Sequence, residues 1–213
     1  MSNESGKLIV IDGGEGAGKT CGMIRLKEVL PEGRFEFMRE PGNTDVGEGI
    51  RNILLNPDLE MGALTELLLF WAARAENVEK QIRPILQSGR HIICDRFDST
   101  TWAYQIRGRQ REDLAPLFEH ISRCVLGGLE PDLYVYLELP LAIGRQRAKD
   151  RGKLNRLDKQ EDGFYERAYP GYREFIQGKP HLIVDASQSF EAVSGELLSA
   201  VESVVGPITQ SVL

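Results

Sequence analysis

Several features that would point to a secreted, metal-caged or membrane protein are scarce in this chain of 213 residues. The three cysteines Cys21, Cys94 and Cys124 make no C-x-x-C pair, so we expect a reduced environment instead of a disulfide framework. The three histidines lack the spacing of metal ligands. No apolar run approaches the length of a bilayer span, and the start of the chain lacks the pattern of a signal peptide. We therefore expect a cytoplasmic protein with no membrane partner.

An excess of positive charge is also missing. The formal net charge is -6, which argues against a general nucleic-acid binder, although basic residues can still cluster locally. Hydrophobic residues make up 41% and charged residues 27% of the chain, as in soluble globular proteins. The length suits a single domain over residues 1–213, with or without an inserted lid.

A glycine-rich stretch near the start of the chain fits the pattern G-x-x-x-x-G-K-[ST]. A β-branched apolar run precedes it at 7–12, and a segment suited to a helix follows at 21–30, so the match lies between a predicted strand and a predicted helix. Such a loop would direct backbone N–H groups at a polyphosphate, with Lys19 on the β- and γ-phosphates and Thr20 on Mg²⁺. The alternative is a chance match in a glycine-rich turn. The proposed ATP-binding residues are Gly13, Gly14, Glu15, Gly16, Ala17, Gly18, Lys19 and Thr20.

Strand-like runs alternate with helical stretches along the chain, which predicts an α/β fold with a parallel sheet between two helical layers. The candidate strands cover residues 8–12, 35–39, 91–95, 133–139 and 181–185. Four of them end in polar residues, and ligands of such sheets collect at the carboxyl ends of the strands.

Two of these strand ends carry candidate ligands for phosphate or metal. Arg39 precedes a Pro-Gly turn that would hold it at the sheet edge, although a surface arginine explains it equally well. Asp95 ends an apolar strand where phosphate-loop proteins have the carboxylate that binds Mg²⁺ or its water, and Arg96 follows directly.

Residues 63–86 have apolar side chains at helical spacing, with Pro84 expected to kink the helix or end its regular part. Phe70 and Arg74 lie four residues apart and could stack on and hydrogen-bond a base. The alternative is a core aromatic next to a solvated arginine. Downstream, the hydroxyls of 98–101 and the pair Tyr104-Gln105 suit a small ligand, or in part a helix cap.

The densest basic cluster lies between residues 145 and 156 in an otherwise acidic chain. Its like charges would share a helix face, which costs stability unless an anion compensates. A solvated face is one explanation; with a phosphate loop in the same chain, we favour a mobile lid over about 145–160.

These motifs together resemble the thymidylate kinases, which phosphorylate dTMP from ATP. The resemblance spans nearly the whole chain and is carried by Gly13 to Thr20, Arg39-Glu40-Pro41-Gly42, residues 68–74, Asp95-Arg96-Phe97, Ala103-Tyr104-Gln105 and residues 147–156. It implies a three-layer P-loop kinase fold with a five-stranded parallel sheet and a short lid. The combination is far more specific than the phosphate loop alone.

The resemblance also implies roles for single residues. Glu15 would face the sugar 3′-hydroxyl of the acceptor, and Arg39 and Arg96 would surround the acceptor phosphate. Phe70 would stack on thymine, and Arg74 would read the base. The rest of the nucleoside pocket would be lined by Thr101, Tyr104 and Gln105.

Gly16-Ala17 lies where some family members carry a loop arginine, so the chain resembles the bacterial-type subgroup, whose arginine comes from the lid. Arg151 is our choice for that arginine. Residues 185–188 resemble a loop near the ATP adenine, which is a weaker match.

The chain departs from the family pattern at two positions, Asn43 and Cys21, and in the segment 106–111, where a glycine-rich stretch is expected. The last lies beside the acceptor pocket and brings in Arg107, Arg109 and Arg111. These arginines either bind a bulkier or more anionic acceptor or are simply exposed.

The expected reaction is transfer of the ATP γ-phosphoryl group to dTMP, giving dTDP, with Mg²⁺ as cofactor and Lys19, Arg39, Arg96 and Arg151 balancing charge. Two alternatives stay open: a P-loop kinase for another nucleotide or a small metabolite, and a nucleotide-dependent switch. The N-K-x-D motif of GTPases is absent from the sequence. The apolar surface of the helix at 63–86 suggests a homodimer.

Overall fold

Five parallel strands form the centre of the computed structural model, which describes residues 5–152 and 155–208, except for the side chain of Arg151. The strands are β1 (Leu8–Gly13), β2 (Phe35–Arg39), β3 (His91–Asp95), β4 (Leu133–Glu138) and β5 (His181–Asp185), in the order β2-β3-β1-β4-β5. The predicted parallel sheet is confirmed. Strand β1 runs one residue further than predicted, and β4 ends one residue earlier.

Helices cover both faces of this sheet. They are α1 (Lys19–Val29), α2 (Asp45–Leu55), α3 (Ala63–Asn77), α4 (Arg83–Gln87), α5 (Asp98–Thr101), α6 (Ala115–Leu126), α7 (Leu141–Arg151), α8 (Asp162–Ile176) and α9 (Phe190–Val205). Wider π-helical turns follow α3 at Val78–Ile82 and α5 at Trp102–Gly108, and a 3₁₀ turn lies at Glu112–Leu114. None of the helices within the described ranges has the length and apolar character to cross a membrane.

The buried central strand explains the three layers. Leu8 and Val10 pack into the core on one face of the sheet, while Ile9 and Ile11 pack into the core on the other. Successive side chains of a strand point to opposite faces, so a run that is apolar at every position requires cover on both sides.

The helix predicted over 63–86 is interrupted, as Pro84 suggested. Regular α-helix stops at Asn77, a π-helical turn spans Val78–Ile82, and α4 resumes at Arg83. Pro84 has no N–H to donate, and its ring crowds the carbonyl four residues before it, so a wider turn there relieves the clash.

Register brings the predicted polar strand ends to one edge. Arg39 pairs with Asp95, and Asp95 lies opposite Ile11, two residues before Gly13. The carboxyl ends of β2, β3 and β1 therefore meet where the glycine-rich loop begins.

Candidate active site

At two positions of the glycine-rich loop between β1 and α1, the backbone adopts a conformation that only glycine takes up freely. Gly16 and Gly18 have φ values of 72° and 88°. A Cβ at Gly16 would also lie 2.5 Å from the carbonyl oxygen of Gly144. Helix α1 starts at Lys19, directly after Gly18 and two residues earlier than predicted, so its N-terminal end faces the loop.

Lys19 folds back over this loop. Its ammonium group donates to the carbonyl oxygens of Gly13 and Gly14, both at 2.9 Å, and the side chain is buried. Burial, together with the positive charge of Arg96, lowers the pKa of Lys19 to about 8. The carboxylates of Asp95, Glu15 and Asp12 offset part of this cost, and an anionic ligand next to the ammonium group would offset more of it.

Asp95 and Thr20 line one groove beside the loop, together with Arg39 and Asn43. The Oδ1 atom of Asp95 is buried and has no hydrogen-bond partner within the described part of the chain. An unpaired carboxylate oxygen near a hydroxyl is a donor set that suits Mg²⁺, which commonly takes one or two protein ligands and completes its shell with phosphates and water. The residues present therefore fit the metal.

Asp12, at the end of β1, organises the segment after β3. Its carboxylate accepts short hydrogen bonds from the hydroxyls of Ser99 and Thr100, and burial raises its pKa. The polar end of the strand signalled Asp12 in the sequence, but its partners could not be predicted because they lie 87 and 88 residues away.

A second cavity lies on the other side of Asp95. Arg96 is at its centre: its guanidinium donates to the carbonyl oxygen of Gly13 (3.2 Å), the Thr100 hydroxyl (3.3 Å) and the Tyr172 hydroxyl (2.9 Å). The cavity is lined by Glu15, Arg39, Glu40, Pro41, Arg51, Leu55, Phe70, Asp95, Arg96, Thr100, Tyr104, Asn155, Leu157 and Asp158. Five of the residues that the sequence predicted to bind the acceptor therefore line this one cavity: Glu15, Arg39, Phe70, Arg96 and Tyr104.

Arg51 is a cavity residue that the sequence reasoning missed. Its Nη1 atom donates to the carbonyl oxygen of Pro41 at 2.7 Å, and both burial and the charge of nearby Arg39 lower its pKa. Arg39 in turn pairs with Glu48 at 3.0 Å. One signal in the sequence could have indicated Arg51: the segment that forms α2 begins shortly after the turn that follows Arg39, so Arg51 can return towards Arg39.

Arg74 is fully buried and does not line the cavity itself, but it pairs with Glu40, which does. Its Nε donates to Glu40 at 2.7 Å, and its Nη2 donates to the Thr101 hydroxyl at 3.1 Å. The rings of Trp71 and Phe97 flank the guanidinium at 4.6 and 5.1 Å. The remaining Nη1 atom is buried without a partner among residues 5–152 and 155–208, so one donor of a rigidly held guanidinium stays available.

Gln105 and Thr101, both predicted to line the nucleoside pocket, do not line the cavity either. Gln105 is fully buried, and its amide Nε2 donates to the Glu66 carboxylate at 2.9 Å. Thr101 is also fully buried, and its hydroxyl accepts the hydrogen bond from Arg74 Nη2.

The basic cluster is only partly solvated. Arg145 donates to the carbonyl oxygen of Asp158 at 3.0 Å, Arg147 donates to those of Gly16 and Ala186, and Arg156 is buried. The side chain of Arg151, at the end of α7, lies outside the described residues.

Arg107, Arg109 and Arg111 do not line the cavity. Arg107 pairs with Glu112 and Glu174, Arg111 pairs with Asp113, and Arg109 pairs with the buried Glu66. The charges that depart from the family pattern are therefore neutralised within the chain, and neither of the two roles expected for them fits Arg109.

This site combines a phosphate loop and its buried lysine, a carboxylate on the adjacent strand whose donor set fits Mg²⁺, and an arginine-lined second cavity. Together these features define a P-loop phosphotransferase with a small anionic acceptor. The family model for thymidylate kinase matches residues 11–197. The thymidylate kinase of Legionella pneumophila is 36% identical over 210 residues, which cover 96% of this chain and 98% of that protein. The thymidylate kinase of Alcanivorax borkumensis is 38% identical over 205 residues, covering 94% and 98%. This chain belongs to the thymidylate kinase family.

A solved structure agrees with this assignment at the level of the fold. The thymidylate kinase from Ehrlichia chaffeensis superposes with a TM-score of 0.73, covering 93% of this chain and 99% of that one, at 24% sequence identity.

Proposed function

We propose that this chain transfers the γ-phosphoryl group of ATP to dTMP, giving ADP and dTDP, between the glycine-rich loop and the arginine-lined cavity. The reaction is that of the family to which the chain belongs. The observation that carries the choice of site is the meeting of Gly13, Asp95 and Arg39 at one sheet edge, with Arg96 joining the loop to the cavity. This edge is where we propose that the donor and acceptor phosphates meet.

On the donor side, the loop amides and Lys19 would hold the ATP phosphates. Thr20 and Asp95 would hold Mg²⁺, which neutralises phosphate charge when bound. An incoming phosphate would draw the Lys19 ammonium from the carbonyls of Gly13 and Gly14, because a charge-assisted bond is stronger than a bond to a neutral carbonyl.

On the acceptor side, Arg39, Arg51 and Arg96 would bind the dTMP phosphate, and Glu15 would face the sugar. Phe70 would stack on the thymine ring and the free Nη1 of Arg74 would donate to a base carbonyl, a proposal supported by its burial and missing partner. Thr101 and Gln105 would act through Arg74 and Glu66, while Tyr104 would form part of the wall.

The chemical step needs no general base from the protein. A phosphate monoester has a second pKa of roughly 6, so dTMP is largely a dianion at neutral pH. The side chains therefore orient the two anions and offset their repulsion, which is where most catalysis of phosphoryl transfer arises.

We further propose that residues 145–160 form a lid, with Arg151 as the arginine that meets the transferring group. Asn155, Leu157 and Asp158 already line the acceptor cavity, which supports a covering role for this segment. Closure over both substrates would exclude water and limit wasteful ATP hydrolysis.

A cytoplasmic homodimer is the state that we propose in solution. Val46 and Ile53 on α2, with Leu64 and Leu68 on α3, are 41 to 54% exposed although large and apolar. Neighbouring exposed apolar residues on two packed helices suit a self-complementary interface.

A product assay tests the function. Purified protein is incubated with ATP, Mg²⁺ and each deoxynucleoside monophosphate in turn, and nucleotides are separated by chromatography. We expect dTDP to form with the highest kcat/KM. Equal rates with other acceptors, or none with dTMP, would favour a P-loop kinase for a different acceptor.

A further inference from the structure

One buried carboxylate connects three walls of the acceptor cavity. Glu66, on α3, is 1% exposed and accepts three hydrogen bonds, from Gln105 Nε2 (2.9 Å) and from Arg109 Nε and Nη2 (3.1 and 3.0 Å). It also forms an ion pair with Arg156 Nη1 (2.6 Å). These four residues are called the Glu66 clamp below. The donors come from the π-helical turn after α5, from the residue that follows it, and from the segment 155–160.

The charges of the clamp depend on Glu66. Burial alone raises the pKa of Glu66, but the hydrogen bonds and charge of Arg109, with Gln105 and Arg156, outweigh it and hold that pKa below its usual range. Two guanidinium groups share one carboxylate, and Arg156 is itself buried. Removing the carboxylate would leave an uncompensated buried cation, which is strongly unfavourable.

The clamp fixes the segment 155–160 in particular. Arg156 donates its Nε to the carbonyl oxygen of Leu54 at 2.8 Å, and its backbone N–H donates to that of Leu55 at 3.2 Å. Arg109 reaches the other end of the segment, donating to Gln160 at 2.6 Å. Leu157, between these two anchors, lines the cavity. Between the two anchors, the Tyr165 hydroxyl donates to the carbonyl oxygen of Leu157 at 2.7 Å and Arg145 donates to that of Asp158 at 3.0 Å, so the clamp adds to the contacts that hold the middle of the segment.

Glu66 is also one and two helical turns before Phe70 and Arg74, so the same helix face carries the clamp and the residues proposed to bind the base. We propose that Glu66 is a positioning residue that holds segment 155–160 over the acceptor cavity and thereby sets the affinity for the acceptor nucleotide. This inference rests on the proposed function only in taking that cavity as the dTMP site.

The test compares Glu66→Gln with Glu36→Gln. The control removes a carboxylate from an exposed ion pair with Arg90 and keeps the clamp. With Glu66→Gln we expect the KM for dTMP to rise about tenfold or more while the KM for ATP changes less than about twofold, because only the acceptor side loses its cover. Glu36→Gln leaves both values unchanged.

Limited trypsin digestion gives a readout independent of activity. Trypsin must bind the side chain of Arg156, which the clamp buries, so cleavage after Arg156 reports opening of the segment. We expect Glu66→Gln to accelerate that cleavage about tenfold or more if cleavage follows the open population. Cleavage after Arg34, an exposed turn residue outside the clamp, serves as the internal reference.

The outcomes separate the two proposals. Unchanged cleavage after Arg156, or an unchanged KM for dTMP, overturns the inference. If Glu66→Gln does not accumulate as folded protein, Arg109→Gln replaces it, because the Arg109 side chain is partly exposed and its removal leaves Arg156 paired with Glu66. We then expect a smaller rise in the KM for dTMP and a smaller acceleration of cleavage after Arg156. The absence of both changes overturns the inference. If the wild type does not phosphorylate dTMP, the proposed function is wrong. The rate of trypsin cleavage after Arg156, compared between wild type and variant, then tests by itself whether Glu66 holds segment 155–160.

Discussion

Replacing Arg74 by lysine would separate the charge of this residue from its shape. The ammonium group of lysine can still neutralise Glu40, which holds the Nε of Arg74 at 2.7 Å in a fully buried pair. Lysine lacks the planar fork, however, so the free Nη1 and the bond to Thr101 are lost together. The variant should therefore fold while losing the donor proposed to read the base.

The magnitude follows from that single donor. A hydrogen bond from a charged group contributes about 1.5 to 3 kcal/mol, and about 1.4 kcal/mol corresponds to a factor of ten in rate. We expect kcat/KM for dTMP to fall roughly 10- to 150-fold in Arg74→Lys. Thymine has a carbonyl oxygen at position 4, where cytosine has an amino group, so a donor there favours dTMP over dCMP. The preference for dTMP over dCMP should fall by a similar factor.

The assay measures kcat/KM for dTMP, dUMP and dCMP with saturating ATP, in wild type and variant. Uracil keeps the carbonyl of thymine, so the ratio of dTMP to dUMP should stay unchanged. Arg83→Lys is the matched control, because Arg83 donates to the carbonyl oxygen of Leu126 outside the cavity. An equal loss for dTMP and dCMP, or a dTMP value within about twofold of wild type, would refute the base-reading role of Arg74.

Four further predictions concern other parts of the site. Lys19→Ala should lower kcat by about 10²- to 10³-fold without lowering the thermal unfolding midpoint, because its burial disfavours the charged form; kinetics and calorimetry check both. Asp95→Asn should raise the Mg²⁺ concentration for half-maximal rate about tenfold or more, measured by metal titration after EDTA treatment. Leu68→Glu should convert the proposed dimer to a monomer in light scattering, since it puts charge on the exposed apolar surface. The pKa of Glu66 is held below 4.5, so its stabilisation is present above that pH and is lost as the pH falls through the lowered pKa; the difference in unfolding midpoint between wild type and Glu66→Gln should shrink below about pH 4.5.

The sheet and the phosphate loop were predictable because their signals are local. The β-branched run before Gly13 must be buried on both faces, and the glycines mark a backbone with positive φ, so strand, loop and helix followed from neighbouring residues. Boundaries moved by one or two residues where they depended on hydrogen bonding. Lys19 is one case, because the helix begins directly after the left-handed Gly18.

The partners of the charged residues were not predictable from their pattern. Arg74 lies on a helix where a solvated arginine was the simpler expectation, yet it is buried against Glu40, 34 residues earlier in the sequence. Arg109 was considered as an acceptor ligand, but it pairs with Glu66, 43 residues earlier. Such pairs are set by the packing of distant elements, and the helical period of the sequence carries no information about which opposite charge will face a given side chain.

The positive charges around the cavity contribute to nucleotide binding in addition to its shape. Arg39, Arg51, Arg96 and Lys19 meet at one sheet edge, and the pKa values of Lys19 and Arg51 are lowered first by burial and then by the neighbouring arginine. Both shifts mean that the positive charges of Lys19 and Arg51 are disfavoured where they lie. Arg96 differs, because Tyr172, Tyr104, Asp95 and Asp12 outweigh its burial and raise its pKa. Phosphate groups would stabilise the charged forms of Lys19 and Arg51, so relief of that electrostatic cost would contribute to the binding of both anions.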